Sequence, residues 1–259
     1  MYPYLFGNEN LPTYGILFFI GIICSFVVSL RNMKKSDVSK EDMMYASSFA
    51  LIGGILGAKI LFLLASLKVI IENHIALIDV IKSGFVFYGG FLGGALGYYI
   101  YCRIYKIDVI KMYDRAVCAL PLGQFFGRLG CFCAGCCYGR PTDSFLGVIY
   151  TSPADPNCPR GIKLLPTQLF EAFFCLALFF VLLVVNKKKV KKGTKMLIYV
   201  FSYGIFRFIN EIFRYDSIRG GIGFLSTSQI ISLALIIFAI VYYFRIYRKQ
   251  KQEPIPNLS

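Results

Sequence analysis

The chain has 259 residues, 57% of them hydrophobic and 16% charged, with a formal net charge of +14. Soluble domains carry about 25% charged and 45–50% apolar residues, so this composition excludes an ordinary water-soluble fold. The basic residues sit in short runs between apolar segments (RNMKK at 31–35, KKKVKK at 187–192, RIYRKQK at 245–251), a pattern that orients membrane proteins and attracts anionic lipid. No nucleic-acid motif accompanies them, and nucleic acid is not expected as a partner.

The N-terminal MYPYLFGNENLPTYG lacks the basic region and small-residue cleavage site of a signal peptide, so the first apolar helix is expected to be retained. A bilayer crossing takes about 20 mainly apolar residues. Seven segments qualify, near 14–30, 43–66, 84–105, 113–134, 167–186, 195–213 and 225–247. The fourth is broken by Pro121 and several glycines, and the sixth carries charge. The expected fold is therefore an all-α integral membrane protein, one polytopic domain over 1–259. It has a polar outer-side loop near 138–166, rich in proline and Asp/Asn turn residues, and a basic tail at 245–259. Lys and Arg number four, three, six and four in 31–40, 103–111, 187–195 and the tail, against two, three and two in 67–83, 138–166 and 214–224. That asymmetry predicts an outside N-terminus and a cytoplasmic C-terminus.

Glycines cluster in GGILG (53–57) and YGGFLGGALG (88–97), where small residues let helices approach closely. Gly89 and Gly90, directly after Tyr88, carry a second reading as an open backbone path for a ligand.

Ionisable residues stand where lipid disfavours them: Lys59, Arg128, Arg207, Glu211 and Arg214. Placing an arginine at a helix centre costs at least about 2.5–3.5 kcal/mol, so such groups face a bundle interior or a wet cavity. Arg207 and Glu211 are four apart and can pair on one helix face, and Arg214 continues that face. The guanidinium surplus suits a phosphate, which accepts bidentate hydrogen bonds from the planar fork. In a membrane the abundant phosphates are lipid headgroups. Tyr14, Tyr88 and Tyr203 offer hydroxyls to the same cavity.

The run PLGQFFGRLGCFCAGCCYG resembles the signature of the prolipoprotein diacylglyceryl transferases, G-R-x-G-N-F-x-N-x-E-x-x-G, at Gly127, Arg128, Gly130, Phe132 and Gly139. PTYG (12–15), FYGGFLGG (87–94), LPTQLFE (165–171) and YGIFRFINEIFR (203–214) resemble further family segments, in family order. The resemblance implies transfer of a diacylglyceryl group from phosphatidylglycerol to the lipobox cysteine of an exported prolipoprotein. The site would face the outer leaflet of a bacterial cytoplasmic membrane, with no cofactor and no metal. Carried over by position, Arg128 and Arg207 hold the phosphate and Glu211 orients Arg207. Tyr14, Tyr203, Arg214, Gly89, Gly90 and Gly139 shape the headgroup pocket.

The chain departs from the pattern at diagnostic positions. Tyr88 replaces the family histidine, and as a base it needs cationic help, since tyrosine titrates near pH 10. Cys131 and Ala134 replace two asparagines, and Cys136 replaces a glutamate. The thiols at Cys131, Cys133, Cys136 and Cys137 have four readings: apolar packing, a disulfide (for instance to Cys158), a metal or redox site on the Cys133-x-x-Cys136 pair, or covalent participation. Cys24, Cys102, Cys118 and Cys175 read as packing, and His74 matches no motif. Two further functions stay open: a family member with another acceptor, or a non-catalytic lipid-binding or thiol-redox protein.

Overall fold

Apolar side chains cover the outside of this molecule. In the computed structural model Phe19, Ile52, Leu64, Leu92 and Phe180 are all more than half exposed, although each lies mid-helix in an apolar run. Helices that are hydrophobic all round and still present those residues outward are built for lipid contact.

The structure describes residues 3–5, 11–31, 38–72, 87–215 and 221–247. His74 and the tail beyond 247 lie outside them, as do parts of the 31–40, 67–83 and 214–224 loops. Among the described residues the helices are α1 (Thr13–Arg31), α2 (Lys40–Glu72), α3 (Phe87–Ile104), α4 (Val109–Ala116), α5 (Leu120–Ala134), α6 (Thr167–Lys187), α7 (Thr194–Ile212) and α8 (Thr227–Tyr242). A π-helical turn, Tyr243–Tyr247, follows α8. Two small antiparallel pairs, β1 (Val148–Ile149) with β2 (Lys163–Leu164) and β3 (Gly221–Ile222) with β4 (Leu225–Ser226), stiffen the connections.

Four of these helices are long and apolar enough to cross a membrane, and α4 with α5, bent by 45°, make a fifth crossing if counted as one span. The two other expected crossings fall on α3, diluted by glycine and tyrosine, and on α7, which carries Lys195, Arg207 and Glu211. The bend before α5 is where the sequence places it. Pro121 sits in the first turn, where its missing N–H costs no intrahelical bond.

The chain divides into two compact units, Leu30–Tyr113 and Met1–Ser29 with Asp114–Ser259. The first is an antiparallel helix pair sewn together by glycine. A Cβ on Gly53 or Gly57 of α2 would strike the carbonyls of Gly93 and Gly89 on α3, and the reverse holds for Gly89 and Gly93. Gly89 is thus a seam residue, with Gly57 and Leu61 filling the space beside it. Gly90 is looser, its nearest neighbour being Ala58. Below the seam a core of Met43, Ala46, Tyr101, Cys102 and Met112 closes the unit. Ser39 caps α2 by accepting from the Asp42 amide at 2.9 Å, with acidic Glu41 and Asp42 in the first turn.

In the second unit α5 is the hub. Gly21 of α1 abuts Phe126 and Gly123, and Gly130 lies under Tyr14, so α1 and α5 run antiparallel in close contact. On α6 and α7 Phe174 stacks on Phe206 with ring centroids 4.1 Å apart, above a core of Val117, Leu178, Leu182 and Tyr199. A buried polar knot holds the start of α7: Asp114 accepts from the Met196 amide at 2.8 Å and lies 3.7 Å from Lys195, while Asn186 accepts from both Lys195 and Arg115. A carboxylate at a helix N-terminus is favoured by the exposed amides there.

The glycine seam makes a graded prediction. Gly57→Val pushes a side chain into the Gly89 carbonyl and should cost about 1–3 kcal/mol or more of stability. Gly54→Ala, whose Cβ would stand 3.3 Å from the Gly90 carbonyl, should cost distinctly less. Thermal unfolding of the detergent-solubilised protein reads both. Equal losses would show that the seam does not limit the fold.

Candidate active site

Five of the six residues Tyr203, Gly204, Arg207, Asn210, Glu211 and Arg214 are polar, and their spacing puts them along one stripe of α7 and its C-terminal turn. Arg207, Asn210 and Arg214 are all buried. The expected i,i+4 pair forms: Arg207 Nη1 lies 2.7 Å from Glu211 Oε2. Arg214 Nη1 stands 3.8 Å from the same oxygen. The second turn of contacts comes from the start of α8. Arg207 Nη2 donates to Ser228 Oγ at 3.0 Å, and Ser226 Oγ donates to Glu211 Oε1 at 2.9 Å. Ser226 also caps α8, accepting from the Gln229 amide in a reciprocal capping box. One serine therefore starts a helix and fixes a site carboxylate.

Arg128, on α5, reaches the same polar stripe through a residue that the sequence reading did not single out. Its Nη2 lies 2.9 Å from Glu171 Oε1, and Glu171 is almost completely buried in the first turns of α6. Tyr203 OH donates to the same carboxylate at 2.8 Å, and Asn210 Nδ2 donates to Oε2 at 3.3 Å. The reasoning that picked out Arg128 applies equally to Glu171: a charge in an apolar span must be paired inside. That signal lay in LPTQLFE. Asn210, Ser226 and Ser228 carried no charge to reveal them.

Three guanidiniums and two carboxylates thus meet around this stripe, leaving one positive charge among the five. Arg128 is the most accessible of the five, its side chain 19% exposed. Gly127 beside it has open space where a side chain would be. A surplus of guanidinium over carboxylate is chemically suited to an oxyanion.

The remaining sequence-derived residues divide. Tyr14 packs over Gly130, two residues from Arg128, and joins this unit. Gly139 is walled in by Leu165 and the Phe213 carbonyl, and its N–H donates to the Leu165 carbonyl at 2.8 Å. It pairs with Arg214 as an isolated bridge and so aligns the Arg214 backbone. Tyr88, Gly89, Gly90 and Lys59 belong to the other unit. Tyr88 lies in the first turn of α3 and its side chain is outside the description, while Lys59 Nζ lies 5.3 Å from the Phe62 ring centroid.

All nine cysteines are thiols and none forms a disulfide, so the reading that ties the cluster to Cys158 does not hold here. Cys158 is instead packed with Tyr138, Tyr150 and Leu164, where burial pushes its thiol up to about 11. Cys133 is not part of the sulfur cluster. The sulfurs that gather are those of Cys131, Cys136 and Cys137, all within 4.8 Å of one another. Gln168 and Thr167 hold this loop by donating to the Cys136 and Cys137 carbonyls at 2.7 and 2.8 Å.

A multi-pass helical membrane protein with a buried cluster of paired arginines and glutamates is the class that fold and site define. The sequence matches the family model for prolipoprotein diacylglyceryl transferase over residues 3–245, and the chain belongs to that family. It is similar to the phosphatidylglycerol–prolipoprotein diacylglyceryl transferase of Clostridium tetani, with 41% identity over 97% of this chain and 100% of the relative. The transferase 2 of Clostridium perfringens is 38% identical over 92% of each chain, and that of Dehalococcoides mccartyi 32% identical over 95% and 93%.

Removing one partner of the Arg128–Glu171 pair leaves a buried charge. Glu171→Gln should cost about 3–5 kcal/mol, and Arg128→Met with Glu171→Met together much less than the sum of the singles. A double-mutant cycle by thermal unfolding measures this. Additive effects would mean that the two groups do not depend on each other.

Proposed function

We propose that this chain is an enzyme that transfers the diacylglyceryl group of phosphatidylglycerol to the lipobox cysteine thiol of exported prolipoproteins. The single observation that carries this reading is the buried set of three arginines against two carboxylates. Phosphatidylglycerol brings one negative charge, and the surplus charge of the set is one.

The reaction balances simply. The acceptor thiol gives up its proton, the sulfur attacks the glyceryl carbon bound to the phosphate, and a C–S thioether bond forms. The C–O bond breaks, and its electrons leave on glycerol phosphate. Arg128 and Arg207 grip the phosphate and stabilise the charge that grows on the departing oxygen. Glu171 and Glu211 orient those two arginines, and Tyr203 and Asn210 hold Glu171. Tyr14, Gly139 and Arg214 shape the headgroup end. Tyr88 takes a hydrogen-bonding role, because an ordinary phenol is too weak a base near neutral pH.

The membrane arrangement follows the same reading. All seven apolar segments cross a bacterial cytoplasmic membrane, with the N-terminus outside, the basic loops and tail in the cytoplasm, and the site open to the outer leaflet. The apolar helix exteriors and the bias of Lys and Arg support it.

Labelled phosphatidylglycerol and a lipobox peptide, with membranes containing the protein, test the function. Label should appear on the peptide thiol and fall about 10²–10³-fold in Arg128→Ala. Arg207→Lys should rescue little of the loss in Arg207→Ala, since an ammonium lacks the planar fork. Release of glycerol phosphate without peptide labelling would sink this acceptor and favour another.

A further inference from the structure

Cys131 ends its helix on one side, and Cys136 and Cys137 begin the next loop. In a continuous helix, residues five and six apart point to different faces. Here the chain reverses instead. Gly135 caps α5 in the left-handed conformation at φ 69°, and Cys137 follows at φ 65°. A side chain at Gly135 would collide with Pro153, so the turn accepts only glycine. Cys137 takes a conformation that side-chain-bearing residues rarely adopt, and such strain collects at functional sites. The turn folds two thiols back onto a third, and α6 pins both of their carbonyls through Gln168 and Thr167.

We propose that Cys131, Cys136 and Cys137 form a three-thiolate site for a borderline-soft divalent cation of the zinc class. Its fourth position is the docking point of the acceptor thiol, a part that rests on the transferase reading given above.

Tetrahedral zinc with Zn–S bonds of about 2.3 Å sets its sulfurs about 3.8 Å apart. The three sulfurs already lie within 4.8 Å, so closing onto an ion takes a shift on the order of 1 Å. The ligand set is all sulfur, which selects zinc-like or softer ions over magnesium or calcium. Three protein ligands with an open fourth position is the pattern of reactive zinc sites. Cys131 is buried while Cys136 and Cys137 are partly exposed, so an ion and a substrate can reach the site. Cys131 and Cys137 also lie within Coulombic reach of the Arg128 guanidinium.

A thiol that binds such an ion loses its proton. The proton passes to water, and the sulfur keeps the electron pair it needs to attack carbon. Deprotonation is thus supplied without the family's histidine, which is Tyr88 here.

The test uses full-length protein in detergent, titrated with Co²⁺ and Cd²⁺ under reducing conditions. One equivalent should bind, with thiolate charge-transfer absorption. Cys136→Ser and Cys137→Ser should each weaken binding at least about 100-fold, while Cys133→Ser and Cys158→Ser should leave it unchanged. A lipobox peptide should shift the cobalt spectrum, and the same peptide with serine for cysteine should not. No stoichiometric binding, binding that survives Cys136→Ser, or oxidation of the trio to a disulfide in place of metal uptake would overturn the site. No spectral shift with the thiol peptide would overturn the docking role. Normal lipid transfer by metal-free Cys136→Ser would sink this inference and leave the transferase reading standing. Tight metal binding without any transfer would sink the transferase reading and the docking role with it, and leave the metal site standing.

Discussion

Burying a guanidinium among apolar helices is the constraint on which the rest of this unit depends. Arg128 cannot shed its proton, so it must be met by a charge of opposite sign that is itself held in place. Glu171 meets it, and the entry of α6 is arranged around that need. Tyr203 and Asn210 satisfy the carboxylate from α7, and Asn210 also donates to the Thr167 carbonyl at 3.3 Å. Three helices are tied by one carboxylate. A pair of this kind adds little to net stability compared with a well-packed apolar core, yet it forces one register on α5, α6 and α7.

A second knot repeats the arrangement at the end of α7. Glu211 gathers Arg207, Arg214 and Ser226, and the strand bridge between Gly139 and Arg214 brings the signature loop to the same point. Gly139 is therefore needed for how closely two backbones approach, with its N–H in use and no room for a Cβ. Glycine in a signature can report close backbone packing as readily as a ligand surface. Gly89 makes the same point on α3, where it fills the seam with α2.

How far the fold was legible follows from what each signal measures. Apolar runs placed every described crossing helix within a few residues, because lipid-facing helices need no amphipathic pattern to betray them. Pro121 marked the α4–α5 bend through its missing N–H. Arg207 with Glu211 could be paired from spacing alone, since i and i+4 share a helix face. Glu171 was missed although the same reasoning reaches it, for it lies inside the apolar segment at 167–186 as a lone carboxylate. Asn210, Ser226 and Ser228 were beyond reach. Neutral polar residues reveal a role only once the charges they satisfy have positions. The cysteines failed in another way: the C-x-x-C pattern drew attention to Cys133 and Cys136, whereas a left-handed turn at Gly135 decides which sulfurs meet.

Charge supplies the last link between the thiols and the arginines. The family signature carries a glutamate where this chain has Cys136, and a neutral thiol would leave that negative charge missing. Three thiolates around a divalent cation carry a single negative charge, the same as the carboxylate they would replace. That charge falls near Arg128, while Arg207 and Arg214 still outnumber Glu211 at the far end of the stripe. The oxyanion would then be drawn toward the α7 end, and the acceptor sulfur would arrive from the α5 end. An in-line displacement at carbon needs its nucleophile and leaving group on opposite sides, and a difference in charge between the thiol cluster and the α7 arginines would favour that order.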